Sequence, residues 1–223
     1  MVSYRFTPRR KSIFDLLSVT LILVLINIVA FIVFTALLSL NVISVDAVAL
    51  KPSNVLSGKY LWTFLTSMFM HSPNNLFHIF ANMFSLIFIG GFIERILGRK
   101  RYFWFYMISG LFAGLLFVLL SLVFTADFNA YAVGASGALF GIAGLMVILT
   151  PNIPLYVMFI PIPIKAKYAI PGLLAILWFI SIAGNVGIGN TAHLGGLLAG
   201  IVYGVYLRKK YKKKTRYISQ HFS

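Results

Sequence analysis

Tyr131-Ala132-Val133-Gly134-Ala135-Ser136-Gly137-Ala138-Leu139-Phe140-Gly141 opens a stretch that runs to Leu149 without a charged side chain. Roughly 20 apolar residues carry a helix across the hydrocarbon layer, so residues 131–149 read as a membrane span. Working outward, five further apolar runs qualify: 14–40, 76–92, 102–124, 169–184 and 191–207. The last two share one run, broken at Gly184-Asn185-Val186-Gly187-Ile188-Gly189-Asn190, whose glycines and asparagines predict a tight turn. Lipid offers backbone groups no partners, so spans are helices or closed barrels. These unbroken runs lack the alternation of a barrel. The expected fold is therefore all-α, a polytopic membrane protein built as a six-helix bundle. A basic segment 1–13 precedes the membrane domain 14–207, and a basic tail 208–223 follows it.

The composition agrees. Of 223 residues 60% are apolar, and the only carboxylates are Asp15, Asp46, Glu94 and Asp127. The net charge of +15 raises nucleic acid as a partner, but its distribution excludes that reading. Arg5, Arg9, Arg10 and Lys11 precede the first span. Arg95, Arg99, Lys100 and Arg101 separate the second from the third, Lys165 and Lys167 the fourth from the fifth, and seven more cations follow the sixth. Lys51 and Lys59 alone fall on the other side. This positive-inside pattern places both termini in the cytoplasm and makes membrane lipids the partner of the basic tail. The first run lacks a small-residue cleavage site and reads as a retained span. The longest loop, 41–75, carries Trp62, Phe64, Met68, Phe69 and Met70 and reads as an amphipathic segment lying in the outer interface. No cysteine is present, so disulfides, thiolate catalysis and cysteine-based metal sites are excluded.

The topology puts Ser136 and His193 at matching depth below the outer surface, because the fourth and sixth spans both start there. Buried ionisable groups in a membrane are costly and usually functional. Gly137, Gly141 and Gly144 recur along the fourth span, and Gly196, Gly200 and Gly204 along the sixth. Small residues at such spacing let membrane helices approach closely. If the stripes pack, the imidazole reaches the hydroxyl, and a base is what a serine needs to become a nucleophile. None of the four acids is placed to orient the histidine, Asp127 being the nearest, so the constellation reads as a dyad. The Gly-x-Ser-x-Gly elbow of soluble hydrolases is not matched, since Ala138 takes the last position. An acyl-transfer serine also needs donors for the oxyanion. His78 and Asn82, four apart on the second span, lie on one helical face at the same outer end. His71, just before Pro73, reads as a structural loop residue. Three histidines raise zinc as an alternative, but no carboxylate completes the set and the serine would go unexplained. No cofactor is expected.

In four motifs the chain resembles the rhomboid family of intramembrane serine proteases. They are His78-Ile79-Phe80-Ala81-Asn82; Gly90-Gly91 with Glu94-Arg95; Gly134-Ala135-Ser136-Gly137; and Ala192-His193-Leu194-Gly195-Gly196 with Gly200. Their order and sidedness, from Trp62 to Gly204, carry the resemblance. It implies a compact bundle of six helices with a cavity open to the outer side of the cell membrane. It implies Ser136 as nucleophile, His193 as base, and His78 and Asn82 as oxyanion donors. The implied substrates are single-pass membrane proteins cut within or beside their spans. Two positions depart from the common pattern. Phe140 stands where many relatives carry a tyrosine stacked on the histidine, and Trp62-Thr63 where many carry Trp-Arg. Phe140 keeps the aromatic face, so stacking is expected to survive. The competing class is a non-catalytic rhomboid-like protein that binds membrane clients; such proteins lack the serine or the histidine. For lateral entry the short fifth span, read as beginning after Pro171, is the expected moving part. Its Trp178 and Phe179 either plug the opening against the second span or face lipid.

Overall fold

The computed structural model describes residues 18–157, 161–184 and 187–222. The basic segment 1–13, the start of the first span at 14–17, and Asn185 and Val186 of the turn lie outside the described residues. The rest is helical: α1 (Val19–Ser39), the short α2 (Pro52–Leu56) and α3 (Thr63–Thr66), α4 (Leu76–Leu97), α5 (Arg99–Leu120), α6 (Ser136–Leu149), α7 (Ala166–Ala183), α8 (Asn190–Lys210) and α9 (Lys212–His221). A two-residue antiparallel ladder, Pro154–Leu155 with Ile164–Lys165, lies between α6 and α7. By length and composition α1, α4, α5 and α7 are long and apolar enough to cross a membrane. The fold is the expected all-α membrane protein, with α6 and α8 packed among these four; the count of six spans is not matched exactly.

Two helix starts and the placement of one loop differ notably from the sequence reading. The fourth helix starts at Ser136, not Tyr131. The chain is extended at Ala132 instead, which exchanges backbone hydrogen bonds with Leu50 in an isolated bridge, and the Gly134 N–H donates to the Ser67 carbonyl at 2.8 Å. Non-helical backbone is tolerated at this depth because protein, not lipid, supplies its partners. The fifth helix starts at Ala166, with Pro171 inside it. The loop 41–75 does not simply lie in the interface. Trp62 is exposed, but Met68 and Met70 are buried. Met68 presses on Gly110 of α5, while Leu50 and Phe64 press on Gly114.

The core explains why α6, only 14 residues long, suffices. It is buried on nearly every face, from Ala138 to Met146. It needs no lipid-facing surface because α5 and α8 flank it. Gly196 and Gly200 of α8 rest on the carbonyls of Gly137 and Gly141, where an added Cβ would collide with backbone. The glycine stripe of α6 serves a second neighbour as well. A Cβ on Gly137 would meet Ala113 of α5 at 2.8 Å, and one on Gly141 would meet Ser109 at 2.5 Å. Small residues on α6 thus let two helices close on it at once, which is how apolar helices gain van der Waals contact in a membrane.

α1 is attached differently. Its lightly buried shaft is pinned at its start by Glu94 of α4, a buried carboxylate. The Val19 N–H donates to Oε1 at 2.8 Å, and the Thr20 N–H and hydroxyl donate to Oε2 at 2.8 and 2.7 Å. The carboxylate takes orphan N–H groups of a helix start and places negative charge at its positive end. Glu94→Gln keeps the volume but replaces one acceptor oxygen with a donor. It is expected to lower stability by about 1.5–3 kcal/mol, the scale of a hydrogen bond to a charged group, read as a reduced thermal midpoint in detergent.

Candidate active site

Ser136 is the first residue of α6 and His193 lies in the first turn of α8, at the same end of the bundle. The contact between the two glycine-bearing helices brings Ser136 Oγ to 2.8 Å from His193 Nε2. His193 is only 8% exposed. One helical turn after Ser136, the Phe140 ring stacks on the imidazole, with centroids 4.6 Å apart and planes at 23°. The stacking expected of this position is therefore present without a hydroxyl. His193 Nδ1 is buried and makes no hydrogen bond among the described residues. The ring is thus oriented by Phe140 and Ser136, with no carboxylate on its far nitrogen.

Asp127, the nearest acid in the sequence, is engaged elsewhere. Its Oδ2 accepts the Thr191 hydroxyl at 2.7 Å, two residues before His193. No side chain caps the start of α8, so Asp127 ties that helix start, through Thr191, to the turn that follows α5. It acts on the helix that carries His193 and not on the imidazole.

His78 and Asn82 share a face of α4, and the Asn82 amide donates to the His78 carbonyl at 2.8 Å. Gly134 shows where their polar heads lie. A Cβ there would meet His78 Nε2 at 2.7 Å and come within 3.8 Å of Asn82 Nδ2. Gly134 also has φ +110°, a backbone region that side chains rarely adopt. The extended segment thus passes His78 and Asn82 two residues before delivering Ser136. No side chain caps α6, so its first N–H groups, at the positive end of the helix dipole, stand unclaimed by a side chain beside Ser136. Hydroxyl, imidazole, amide and helix start together can transfer a proton and hold a developing negative charge.

Two features beside the site were not visible in the sequence. Gly134 was visible only as a flank of Ser136; its contact with α4 requires the fold. His71 lies in the loop, as read, but packed against the second span. It is 1% exposed and meets His78 edge-on, with centroids 5.2 Å apart. Burial, and secondarily the neighbouring His78, push its pKa down to about 4, so it is neutral through the physiological range. Its nearness to Pro73 said nothing of that neighbour. Among the described residues no group of three His, Cys, Asp or Glu side chains gathers to hold a metal. Trp178 of α7 packs at 6.4 Å from Phe124, beyond the end of α5, and Phe179 is 71% exposed.

Comparison with known proteins bears on this arrangement. Residues 58–210 match the rhomboid domain model, a stretch that contains all of these side chains. The chain belongs to the rhomboid family. It is 39% identical over 161 residues to RHOMBOID-like protein 1 of Arabidopsis thaliana, covering 70% of this chain and 37% of that relative. It is 31% identical over 228 residues to the rhomboid protease AarA of Providencia stuartii, covering 90% of this chain and 76% of AarA. A shorter match, 38% over 86 residues, joins 39% of this chain to 22% of the inactive RHOMBOID-like protein 8 of Arabidopsis thaliana. The rhomboid family thus includes both a protease and an inactive member among the relatives of this chain.

Proposed function

We propose that this rhomboid is an intramembrane serine endopeptidase that cuts single-pass membrane proteins within or next to their transmembrane segment. The observation that supports this most is the 2.8 Å contact between Ser136 Oγ and His193 Nε2. In this reading Oγ attacks the scissile carbonyl carbon while Nε2 takes its proton. The carbonyl oxygen becomes an oxyanion, met by the first N–H groups of α6, His78 and the second amide hydrogen of Asn82. Collapse breaks the C–N bond as the imidazolium returns its proton to the leaving amine. Water then attacks the acyl ester, giving a proton to Nε2, and Ser136 is released with its own proton restored. Phe140 holds the ring in plane throughout.

The charge distribution supports a cell-membrane protein with both termini cytoplasmic and the dyad open to the outer side. The rival reading, a non-cleaving client binder, draws on the inactive relative; the intact Ser136–His193 contact favours the protease. The test is reconstitution in liposomes with a panel of single-span proteins, alongside labelling by a fluorophosphonate. Cleavage and a covalent adduct on Ser136 are expected. Client binding with neither would establish the rival.

His78→Ala and Asn82→Ala are each expected to lower kcat by about 100-fold with little change in KM, because oxyanion donors act on charge that develops in the transition state. A rise in KM at constant kcat would instead assign these residues to substrate binding.

A further inference from the structure

The end of the bundle opposite the dyad carries a second constellation. There α4 finishes at Leu97, α5 begins at Arg99, α6 finishes at Leu149, and α8 gives way to α9 at Tyr211. Between these ends and α9 lies a small cavity. Leu97, Leu149, Leu207 and Ile218 contribute its apolar wall, and Arg101 and Lys214 its charge. The two cations come from different elements, yet they line one cavity. Around them the positive charge thickens. The Arg101 guanidinium lies 5.6 Å from the Tyr211 ring and 3.4 Å from its hydroxyl, and Lys210 Nζ is 5.7 Å from the same ring.

The described carboxylates are committed elsewhere. Glu94 is taken up by Val19 and Thr20. Asp46 accepts from Asn54 and Tyr131, and Asp127 from Thr191, both at the dyad end. Two exposed cations lining a largely apolar cavity can take an anion from outside the chain, one with an apolar part of its own. The tail helix indicates the level at which that anion sits. On α9, Thr215 is buried, and Phe222 just after it meets Phe92 of α4 edge-on at 5.1 Å. Lys212, Lys213, Lys214 and Arg216 are exposed. An amphipathic basic helix of this kind lies in the headgroup plane.

We propose that this cavity seats an anionic phospholipid, with Arg101 and Lys214 on its phosphate and the glycerol and first acyl carbons against Leu97, Leu149, Leu207 and Ile218. The bound lipid joins the tail helix to the ends of α4, α5, α6 and α8. Ordinary positive-inside attraction would act on every cation here alike. The proposal differs because it singles out two.

The full chain in neutral micelles is titrated with phosphatidylglycerol, phosphatidylcholine or inorganic phosphate while the thermal midpoint and the lipid retained in native mass spectra are recorded. Phosphatidylglycerol is expected to raise the midpoint by several degrees and to stay bound, whereas the other two do neither. The Arg101→Gln/Lys214→Gln pair is expected to lose most of both effects. The Lys212→Gln/Lys213→Gln pair, which removes equal charge beside the cavity, is expected to keep them. Equal loss in the two pairs would mean diffuse surface attraction and overturn the site. Equal stabilisation by inorganic phosphate would overturn the lipid as its occupant, and no response of the wild type would overturn both. If the first pair folds poorly, Lys214→Gln alone, on the exposed tail, is expected to lower lipid retention below that of Lys213→Gln. Equal retention by these single variants would also reject the site.

Discussion

Ser136→Ala is expected to abolish cleavage of a membrane-embedded substrate, with a loss on the order of 10⁴-fold or more, while the thermal midpoint stays near that of the wild type. The substitution removes the oxygen 2.8 Å from His193 Nε2 and little else. His193→Ala is expected to cost as much, because the hydroxyl then has no acceptor for its proton. The double variant should be no worse than either single one, since the two groups work as a unit. His193→Ala also opens space against Phe140, so the folded fraction must be measured beside the rate. Substantial cleavage by the Ser136→Ala protein would overturn the proposed nucleophile. Additive losses would overturn the unit while leaving the serine.

The second large effect concerns backbone. Gly200→Val is expected to prevent stable folding, and Gly196→Ala to leave a folded protein with about 100-fold lower kcat. At both positions the added Cβ points into a carbonyl of α6, that of Gly141 for Gly200 and that of Gly137 for Gly196. Backbone cannot swing aside as the end of a side chain can. The helices must separate, and overpacking of this kind costs about 1–3 kcal/mol or more. Gly196 lies one turn from His193, and Gly137 adjoins Ser136. Separation there lengthens the contact between the two functional groups, and a misplacement of about 1 Å can cost 100-fold. Gly172→Ala is the control, because nothing lies within 4 Å of a Cβ built there. Thermal melts and single-turnover rates on the three variants separate stability from alignment. If Gly196→Ala works as fast as Gly172→Ala, the glycine contact does not set the geometry of the dyad.

Much of this was legible because membrane sequences are strict. Apolar runs gave the principal helices, and antiparallel counting put Ser136, His193, His78 and Asn82 at one end, where the structure has them. What hydropathy does not distinguish is lipid from protein as the apolar neighbour. Tyr131 to Ala135 is as apolar as a helix start, yet it stays outside the helix, with Leu50 holding Ala132 and Ser67 holding Gly134. Met68 and Met70 look like interface residues until Gly110 of a distant segment is seen to receive Met68. Asp127 was read as no part of the dyad, but its actual partner, the Thr191 hydroxyl, is not visible in the spacing. The glycine stripes were read as facing each other. They do so through backbone, but Gly137 and Gly141 also make room for α5, and a one-dimensional spacing does not say how many neighbours a small residue serves.

The shortness of α6 has one more consequence. Its 14 residues rise about 21 Å, against roughly 30 Å of hydrocarbon. The protein, not the bilayer, therefore sets the depth of Ser136. On the proposed function, a substrate helix that reached Ser136 intact would have its peptide carbonyls spoken for by its own N–H groups. To offer one to Ser136 it must unwind locally, and unpaired peptide groups are affordable only where polar partners wait. On the proposed function, His78, Asn82 and the bare start of α6 are such partners. The segments best suited to cleavage would then be those with glycine or other weak helix formers at the depth of Ser136, whatever their side chains look like elsewhere.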